Sequence, residues 1–131
     1  MTRSDVRRNA FLYVFQLYAN DEILMDEPLE LEDDLTLESD EFTKLIVNST
    51  IEHREEIDKK ISDNLKGWTI DRLSKVSLAI LRISVAQLLY MDDIPSGVVI
   101  NEAVELSKHF GDSEDYQFIN GALGKIEKSL N

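Results

Sequence analysis

The chain has 131 residues, of which 43% are apolar and 31% charged, and it contains no cysteine. This composition is typical of a globular protein that is long enough to bury a core. The absence of thiols excludes a disulfide framework, a cysteine nucleophile and a zinc ribbon. We read no signal peptide, and no apolar stretch approaches the roughly 20 residues that span a bilayer. We therefore expect a cytoplasmic protein that does not contact a membrane.

The formal net charge of −12 argues at first against a nucleic-acid partner, but this charge is unevenly distributed. Residues 21–41 contain eleven acids and no base, which gives −11. Residues 1–20 carry +2, because three arginines oppose one aspartate, and residues 42–131 carry −3. Such a chain can touch RNA at one basic edge. It is not expected to bind RNA tightly and non-specifically on its own.

The first half of the chain predicts helices on either side of one acidic loop. Ser4 is placed to cap a helix over 5–20, in which apolar residues recur at helical spacing. The acidic stretch 21–39 indicates a loop. The next helix starts at its end and continues, as one bent helix or as two in succession, until Gly67 stops it. Its inner face is predicted to include Phe42, Leu45, Ile46, Ser49 and Thr50.

The second half of the chain predicts three further helices. Thr69 is placed to cap a helix over 70–91 that is apolar nearly all round, so we expect it at the centre of the fold. A Pro-Ser-Gly turn opens a helix over 97–110, and Gly111 is well placed to end it. Ser113 is predicted to cap the last helix. Because no segment shows sustained period-two alternation, we predict an all-α fold, a compact bundle of six to seven helices.

The residue types that carry catalysis or bind metals form no recognisable pattern in this chain. His53 and His109 are its only histidines, and neither has a second histidine three or four residues away. The acidic run lacks the spacing of a calcium-binding loop, and there is no Gly-rich phosphate loop or nucleophile elbow. We therefore predict no catalytic residue, no metal site and no cofactor.

Four patches, in the same order along the chain, carry a resemblance to a known family. The patches are Arg7–Gln16, Trp68–Leu73 leading to Ile80–Ile83, Pro95–Leu106 with its Asn-Glu pair, and Phe118–Leu123. Through them the chain resembles the NusB family of bacterial transcription antitermination factors over almost its whole length. The resemblance implies one RNA-binding domain over 1–131, built from two three-helix subdomains, with the Trp68 region near their junction.

The resemblance also implies a function through binding rather than through catalysis. It implies that the protein pairs with NusE, a ribosomal protein of the small subunit, and that the pair binds boxA RNA in ribosomal RNA leader transcripts. Such a pair supports read-through by RNA polymerase within the antitermination complex, and ribosomal RNA maturation. Relatives occur as monomers and as homodimers, so the sequence leaves the oligomeric state open.

The resemblance places RNA-binding residues near both ends of the chain, at Arg3, Arg7, Arg8, Gln117 and Phe118. Guanidinium groups bind phosphates bidentately and stack on bases, and an aromatic ring can stack a splayed base. From the residues alone, the arginines would be read as a solvated helix start, and Phe118 fits the margin of the core equally well. Gln117 stands where relatives often have lysine, which predicts a weaker RNA affinity.

A second surface is implied for the NusE partner. The resemblance assigns Phe15, Gln16, Asp71, Arg72 and Ser77 to it. Ser77 stands where many relatives carry an acid, and this difference weakens the transfer of the partner site to this chain.

Several polar residues within the helices are expected to have packing roles. Arg82 lies in the most apolar helix and therefore needs a partner, which we expect from another helix. Asn120 and Gly121 fit a close approach between two helices, because glycine inside a helix is otherwise unfavourable. Asn101 or Glu102 can tie the Pro-Ser-Gly turn to a neighbouring helix.

Two other functions remain open at this point. One is a protein-only helical scaffold, which would be favoured if loss of the amino-terminal arginines left every partner affinity unchanged. The other is a detached NusB-like module of a ribosomal RNA methyltransferase. An enzyme that uses acids on the bundle, such as Glu102, would require a catalytic constellation that the sequence does not show.

Overall fold

The computed structural model describes residues 2–18, 41–67 and 69–130, so the predicted acidic loop over 21–39 and Trp68 lie outside the described residues. Within the described ranges the chain forms helices joined by short connections and contains no strand. The all-α class is therefore confirmed. The elements are α1 (Arg3–Tyr18), α2 (Glu41–Glu52), α3 (Arg54–Asp63), a 3-10 turn (Ile70–Arg72), α4 (Lys75–Tyr90), α5 (Ser96–Phe110) and α6 (Asp115–Ser129).

Helix α1 begins at a reciprocal cap formed by Thr2 and Asp5. The Asp5 amide donates to the Thr2 hydroxyl oxygen at 3.0 Å, and the Thr2 amide donates to the Asp5 carboxylate at 3.1 Å. The prediction that Ser4 caps this helix is wrong, because Ser4 lies inside the first turn and donates its hydroxyl to Glu102. The helix starts earlier than predicted because this Thr-x-x-Asp pair satisfies backbone groups that the first turn leaves free.

Two helices, rather than one bent helix, follow the acidic segment. The turn residue His53 separates α2 from α3, and its ring stacks on Tyr90 of α4 with the centroids 4.0 Å apart. The prediction that Leu45 lies on the inner face of α2 is wrong, because Leu45 is 53% exposed. The residues that α2 buries are Thr43, Ile46, Val47 and Thr50.

The predicted helix over 70–91 is broken near its start. The 3-10 turn over Ile70–Arg72 is followed by two residues of extended backbone, and only then does α4 begin. The side-chain cap is Ser74, whose Oγ accepts from the amide three residues later at 3.0 Å, whereas Thr69 makes no capping bond. Gly67 has a φ of +74°, a left-handed conformation that costs glycine little. The prediction that Gly67 stops the preceding helix is wrong, because α3 already ends at Asp63 with Asn64 as its C-cap.

Helix α4 is the centre of the described fold and contacts each of the other five α-helices. Helices α1, α2 and α3 form one group against it, and α5 and α6 pack on it as a hairpin. Every side chain from Ala79 to Gln87 is buried. Each fully buried isoleucine or leucine in this stretch contributes roughly 1.5–3 kcal/mol. None of the described helices is long and apolar enough to cross a membrane.

The junction between α5 and α6 depends on the small size of Gly111. Its φ of −95° is not left-handed, so the glycine ends α5 for a different reason from the one predicted. A Cβ atom here would lie 2.9 Å from the Ser107 carbonyl oxygen and 3.0 Å from the Asp115 carboxylate. The prediction that Ser113 caps α6 is wrong, because the N-cap position is Glu114, without a side-chain capping bond.

The buried Arg82 has the partner that the sequence requires. Its Nε and Nη2 donate to the two carboxylate oxygens of Asp58 in α3, at 2.9 and 3.0 Å. The prediction of a structural ion pair with another helix is therefore confirmed. This bidentate geometry offsets the desolvation of the guanidinium and joins α3 to α4.

Two other packing predictions are wrong. The start of α5 is tied to α6 by Ser96, whose hydroxyl donates to Glu127 Oε1 at 2.8 Å. Neither Asn101 nor Glu102 makes this connection. Asn120 and Gly121 are exposed on α6, and a Cβ atom added to Gly121 would meet nothing within 4 Å. No described helix approaches α6 at this point, so close packing does not explain the glycine.

Candidate nucleic-acid interface

Helix α5 connects the two parts of the chain that carry the predicted RNA-binding residues. The Ser4 hydroxyl donates to Glu102 Oε1 at 2.8 Å and so ties the start of α1 to α5. One end of α5 also meets α1 through the rings of Phe11 and Phe110, whose centroids are 4.9 Å apart. Helix α5 then packs along α6. The amino-terminal arginines and the residues of α6 therefore lie on helices that flank α5.

Arg3 is exposed, and its guanidinium is held over an aromatic ring. The Arg3 Cζ lies 4.0 Å from the ring centroid of Phe42, at the start of α2. A cation over an aromatic face at an exposed site is stabilised by about 0.5–1 kcal/mol. Because the side chain is exposed, a phosphate or a base can approach it.

Arg7 lies in the interior, with only 4% of its surface exposed. Its Nε donates to the Gln87 side-chain oxygen at 2.9 Å, and its Cζ lies 5.5 Å from the Phe42 centroid. Burial lowers the pKa of the Arg7 guanidinium, and the negative charge of Glu102 acts in the opposite direction. This placement favours a packing role, and an RNA contact by Arg7 stays a prediction.

Arg8 is exposed, and its Nη2 lies 3.5 Å from a carboxylate oxygen of Asp5. A hydrogen bond from the Thr2 backbone is the largest cause that lowers the Asp5 pKa, and the charge of Arg8 is a smaller one. The carboxylate offsets the unfavourable position of a base at a helix start. Exposed ion pairs of this kind are weak, so the Arg8 guanidinium can exchange its partner for a phosphate.

Helix α6 presents an amide and an aromatic side chain near its start. Gln117 is exposed, and its Nε2 donates to the Tyr116 hydroxyl oxygen at 3.4 Å. Lys108 of α5 lies 5.0 Å from the centroid of the same tyrosine ring. Phe118 is half-buried and packs against the core. This arrangement leaves part of the Phe118 ring accessible, while its RNA contact stays a prediction.

The structure exposes some of the residues predicted to bind the partner and buries Ser77. Phe15 and Asp71 line one cavity of about 570 Å³ between α1, α3, the 3-10 turn and α4. Gln16 and Arg72 are exposed. Ser77 is 3% exposed and lies in the first turn of α4, where its amide is capped. The structure therefore does not present the Ser77 side chain to a partner, and the remaining contacts stay predictions.

Arg54, Asp58 and Arg82 form a charged cluster in the lining of the same cavity. Asp58 pairs with Arg82 at 2.9 Å and with Arg54 at 3.5 Å. Both guanidinium groups also lie over the Tyr18 ring, 4.7 and 4.9 Å from its centroid. Burial is the largest cause that raises the pKa of the Tyr18 hydroxyl. These contacts fix the wall of the cavity that faces α3.

Two residues at the interface cannot be assigned from the sequence. The spacing predicts Phe42 as a core residue, but its ring also carries Arg3 and Arg7. Glu102 is expected to act near the turn before α5, but it holds the start of α1 instead. In the sequence, the role of Phe42 is indicated only by an aromatic residue at the start of α2. This signal becomes informative once α1 is known to pack on α2.

The chemistry that this surface offers is binding. The described residues contain no group of three or more potential ligands that could hold a metal ion. Exposed guanidinium groups, an amide and an accessible aromatic ring are the groups that proteins use to contact phosphates and unpaired bases. The fold and this surface define an all-helical binding protein with a candidate RNA-facing edge.

Comparison with known proteins identifies the family. The sequence pattern of the NusB family matches residues 4–128. A transcription antitermination protein NusB from Exiguobacterium sp. is 44% identical over 128 residues, which cover 98% of either chain. The NusB of Oceanobacillus iheyensis is 42% identical over 130 residues, covering 96% of this chain and 98% of that one.

A similar solved structure agrees with the sequence relatives. It is described as a crystal structure of the antitermination factors NusB and NusE in complex with double-stranded RNA. Its matched chain is 29% identical with a TM-score of 0.77, and the match covers 97% of this chain and 96% of that one. The protein belongs to the NusB family.

Proposed function

We propose that this protein is a transcription antitermination factor that binds boxA RNA in ribosomal RNA leader transcripts together with NusE. The observation that carries the proposal is the pair of exposed guanidinium groups at the start of α1, next to the α5–α6 hairpin. The similarity to a NusB chain solved with NusE and RNA supports the same function. The pair would promote read-through by RNA polymerase in the antitermination complex and ribosomal RNA maturation.

In this proposal the two proteins share the binding of RNA. A chain with a formal charge of −12 has little long-range attraction for a polyanion, so a basic partner supplies most of the positive field. Arg3 and Arg8 contribute phosphate contacts at one edge. Phe118 stacks an unpaired base, and Gln117 makes a neutral contact where a lysine would add a charge.

The NusE surface is proposed beside the cavity between α1, α3 and α4. Phe15 and Asp71 line this cavity, and Gln16 and Arg72 lie exposed on the same elements, α1 and the 3-10 turn. An apolar ring at a cavity rimmed by charged side chains suits a protein partner. Ser77 would act only indirectly, by fixing the start of α4.

In this proposal the protein is a non-enzymatic cytoplasmic adaptor that works as one RNA-binding domain over 1–131. It needs no cofactor in this role. A homodimer is a further assembly that the family implies, and it would matter here if it covered the start of α1.

The proposal is tested by fluorescence anisotropy of a labelled boxA RNA, titrated with this protein, with NusE and with both, at about 0.05 and 0.2 M salt. We expect tight, salt-sensitive binding only when both proteins are present. Arg8→Gln should weaken this binding and reduce the salt slope by about one. Lys59→Gln is the matched control, because it removes one exposed positive charge from α3, away from the start of α1.

Two outcomes would contradict the proposal. If boxA RNA does not bind under any of these conditions, the protein has no RNA role, and a protein-only scaffold explains the fold better. If Arg8→Gln and Lys59→Gln weaken binding equally, the RNA affinity depends only on the net charge of the protein, and the start of α1 is not the interface. A parallel titration of NusE into Asp71→Asn without RNA tests the partner surface separately.

A further inference from the structure

An unbroken set of contacts runs from the central helix to the exposed end of α1. The side-chain Nε2 of Gln87 donates to the Ile83 carbonyl oxygen at 3.0 Å within α4. The side-chain oxygen of Gln87 accepts from Arg7 Nε at 2.9 Å. The Arg7 guanidinium lies near the ring of Phe42, and Arg3 lies closer over the same ring. Phe42 thus links the buried Arg7 to the exposed Arg3.

Contact with the Phe42 ring reduces the entropic cost of binding RNA through the exposed Arg3 side chain. A long exposed side chain populates many rotamers, and binding must immobilise it at an entropic cost. A ring held against the core restricts the Arg3 guanidinium before RNA arrives. The positive charge is unchanged by this restriction, so the benefit is in preorganisation and not in the electrostatic field.

We propose that Phe42 is a positioning residue for RNA binding: its ring holds the Arg3 guanidinium at the RNA-facing edge. The inference rests on the proposed function, and it adds a residue of α2 to an interface otherwise formed by α1 and α6. Phe42 need not touch RNA. It acts on RNA affinity through Arg3, and Arg7 supports the ring from the interior.

The test is a double-mutant cycle in boxA RNA binding, measured with NusE present at several salt concentrations. Phe42→Leu keeps an apolar side chain but removes the aromatic face, and we expect it to weaken RNA binding about two- to fivefold with an unchanged salt slope. Arg3→Ala should weaken binding and lower the slope by about one. In the Arg3→Ala background, Phe42→Leu should have no further effect. Phe42→Tyr should bind RNA with the affinity of the wild type, because it retains the aromatic ring.

A loss of stability is separated from a loss of positioning by a second variant of the same helix. Ile51→Ala also removes partly buried apolar atoms from α2, at its opposite end. Thermal unfolding and NusE affinity without RNA are measured for both variants. If Ile51→Ala weakens RNA binding as much as Phe42→Leu at a matched loss of stability, or if Phe42→Leu binds like the wild type, the positioning role is wrong. If wild-type protein with NusE does not bind the RNA, the proposed function fails and the inference fails with it.

Discussion

At the scale of single residues, Arg82 shows how this fold keeps a charge inside an apolar helix. The Arg82 guanidinium is buried, but both of its hydrogen bonds to Asp58 have ideal lengths, and the Tyr18 ring covers it on another side. Arg54 shares the same carboxylate from the exposed side. The pair therefore fixes the relative position of α3 and α4, and removal of one member leaves the other uncompensated.

We predict that Asp58→Ala lowers the free energy of unfolding by about 3 kcal/mol, because it leaves the Arg82 charge buried without its carboxylate. The measurement is urea unfolding followed by far-ultraviolet circular dichroism. Asp63→Ala is the control on the same helix, since it breaks only the exposed ion pair with Lys59 and should cost at most about 1 kcal/mol. Equal losses in the two variants would show that the buried pair contributes no more than a surface one.

Two glycines in the second half of the chain are expected to respond oppositely to the same substitution. Gly111→Ala places a Cβ atom against a backbone oxygen at 2.9 Å, so we predict a destabilisation of roughly 1–3 kcal/mol. Gly121→Ala meets no atom within 4 Å inside a helix, so we predict a stabilisation of about 0.5–1 kcal/mol. Thermal unfolding of both variants checks this. A destabilising Gly121→Ala would mean that the glycine has a structural role that its surroundings do not reveal.

At the scale of the element, the start of α1 combines two tasks that conflict electrostatically. Bases at a helix start oppose the macrodipole, yet the proposed RNA contact requires exposed arginines there. The Thr2–Asp5 cap resolves the conflict, because it satisfies backbone groups and brings a carboxylate beside Arg8. The cap thus stabilises the first turn without burying the guanidinium groups at the surface.

The cap makes a pH-dependent contribution whose sign follows from Asp5. Its folded pKa lies below the ordinary value of 3.8, so its stabilising contribution is present above that pH and is lost as the pH falls through the folded pKa. We predict that Asp5→Ala lowers the Tm at pH 7, and that the difference from wild type shrinks as the pH falls below 3.8 and through the lower folded pKa. Scanning calorimetry of both proteins across this range checks the result. A constant difference at all pH values would exclude the carboxylate as the cause.

At the scale of the whole molecule, the sequence predicts the fold class and most helices, but not the residues that cap several of them. Helix α5 is predicted over 97–110 and spans Ser96–Phe110, because its apolar spacing and its Pro-Ser-Gly opening agree. The break before α4 is missed, because apolar residues continue through Ile70 and Leu73 with helical spacing. The side-chain cap at Ser74 marks where the helix begins.

The candidate site is predicted less completely, since its geometry depends on contacts between distant helices. The residues at the start of α1 are identified as candidates, but the sequence cannot tell the buried Arg7 from the exposed Arg8 beside it. That difference arises from Gln87, eighty positions further along the chain. The ring of Phe42 is missed for the same reason, because a periodic pattern identifies a buried face but not what lies against it.

The uneven charge of the molecule leads to a final prediction about selectivity. Replacing the eleven acids of residues 21–41 with their amides changes the formal charge from −12 to −1. We predict that this variant alone binds a non-cognate RNA about tenfold more tightly at low salt, and that the gain disappears by about 0.5 M salt, where charges are screened. Fluorescence anisotropy measures both.

A permuted variant separates charge from sequence in the same experiment. It carries the residues 21–41 in a different order, so its charge stays at −12 and its RNA binding should match that of the wild type. If the permuted chain also gains affinity, the order of the segment and not its charge limits non-cognate binding. If only the amide variant gains, long-range repulsion by these acids restricts the protein to RNA that is presented with a basic partner.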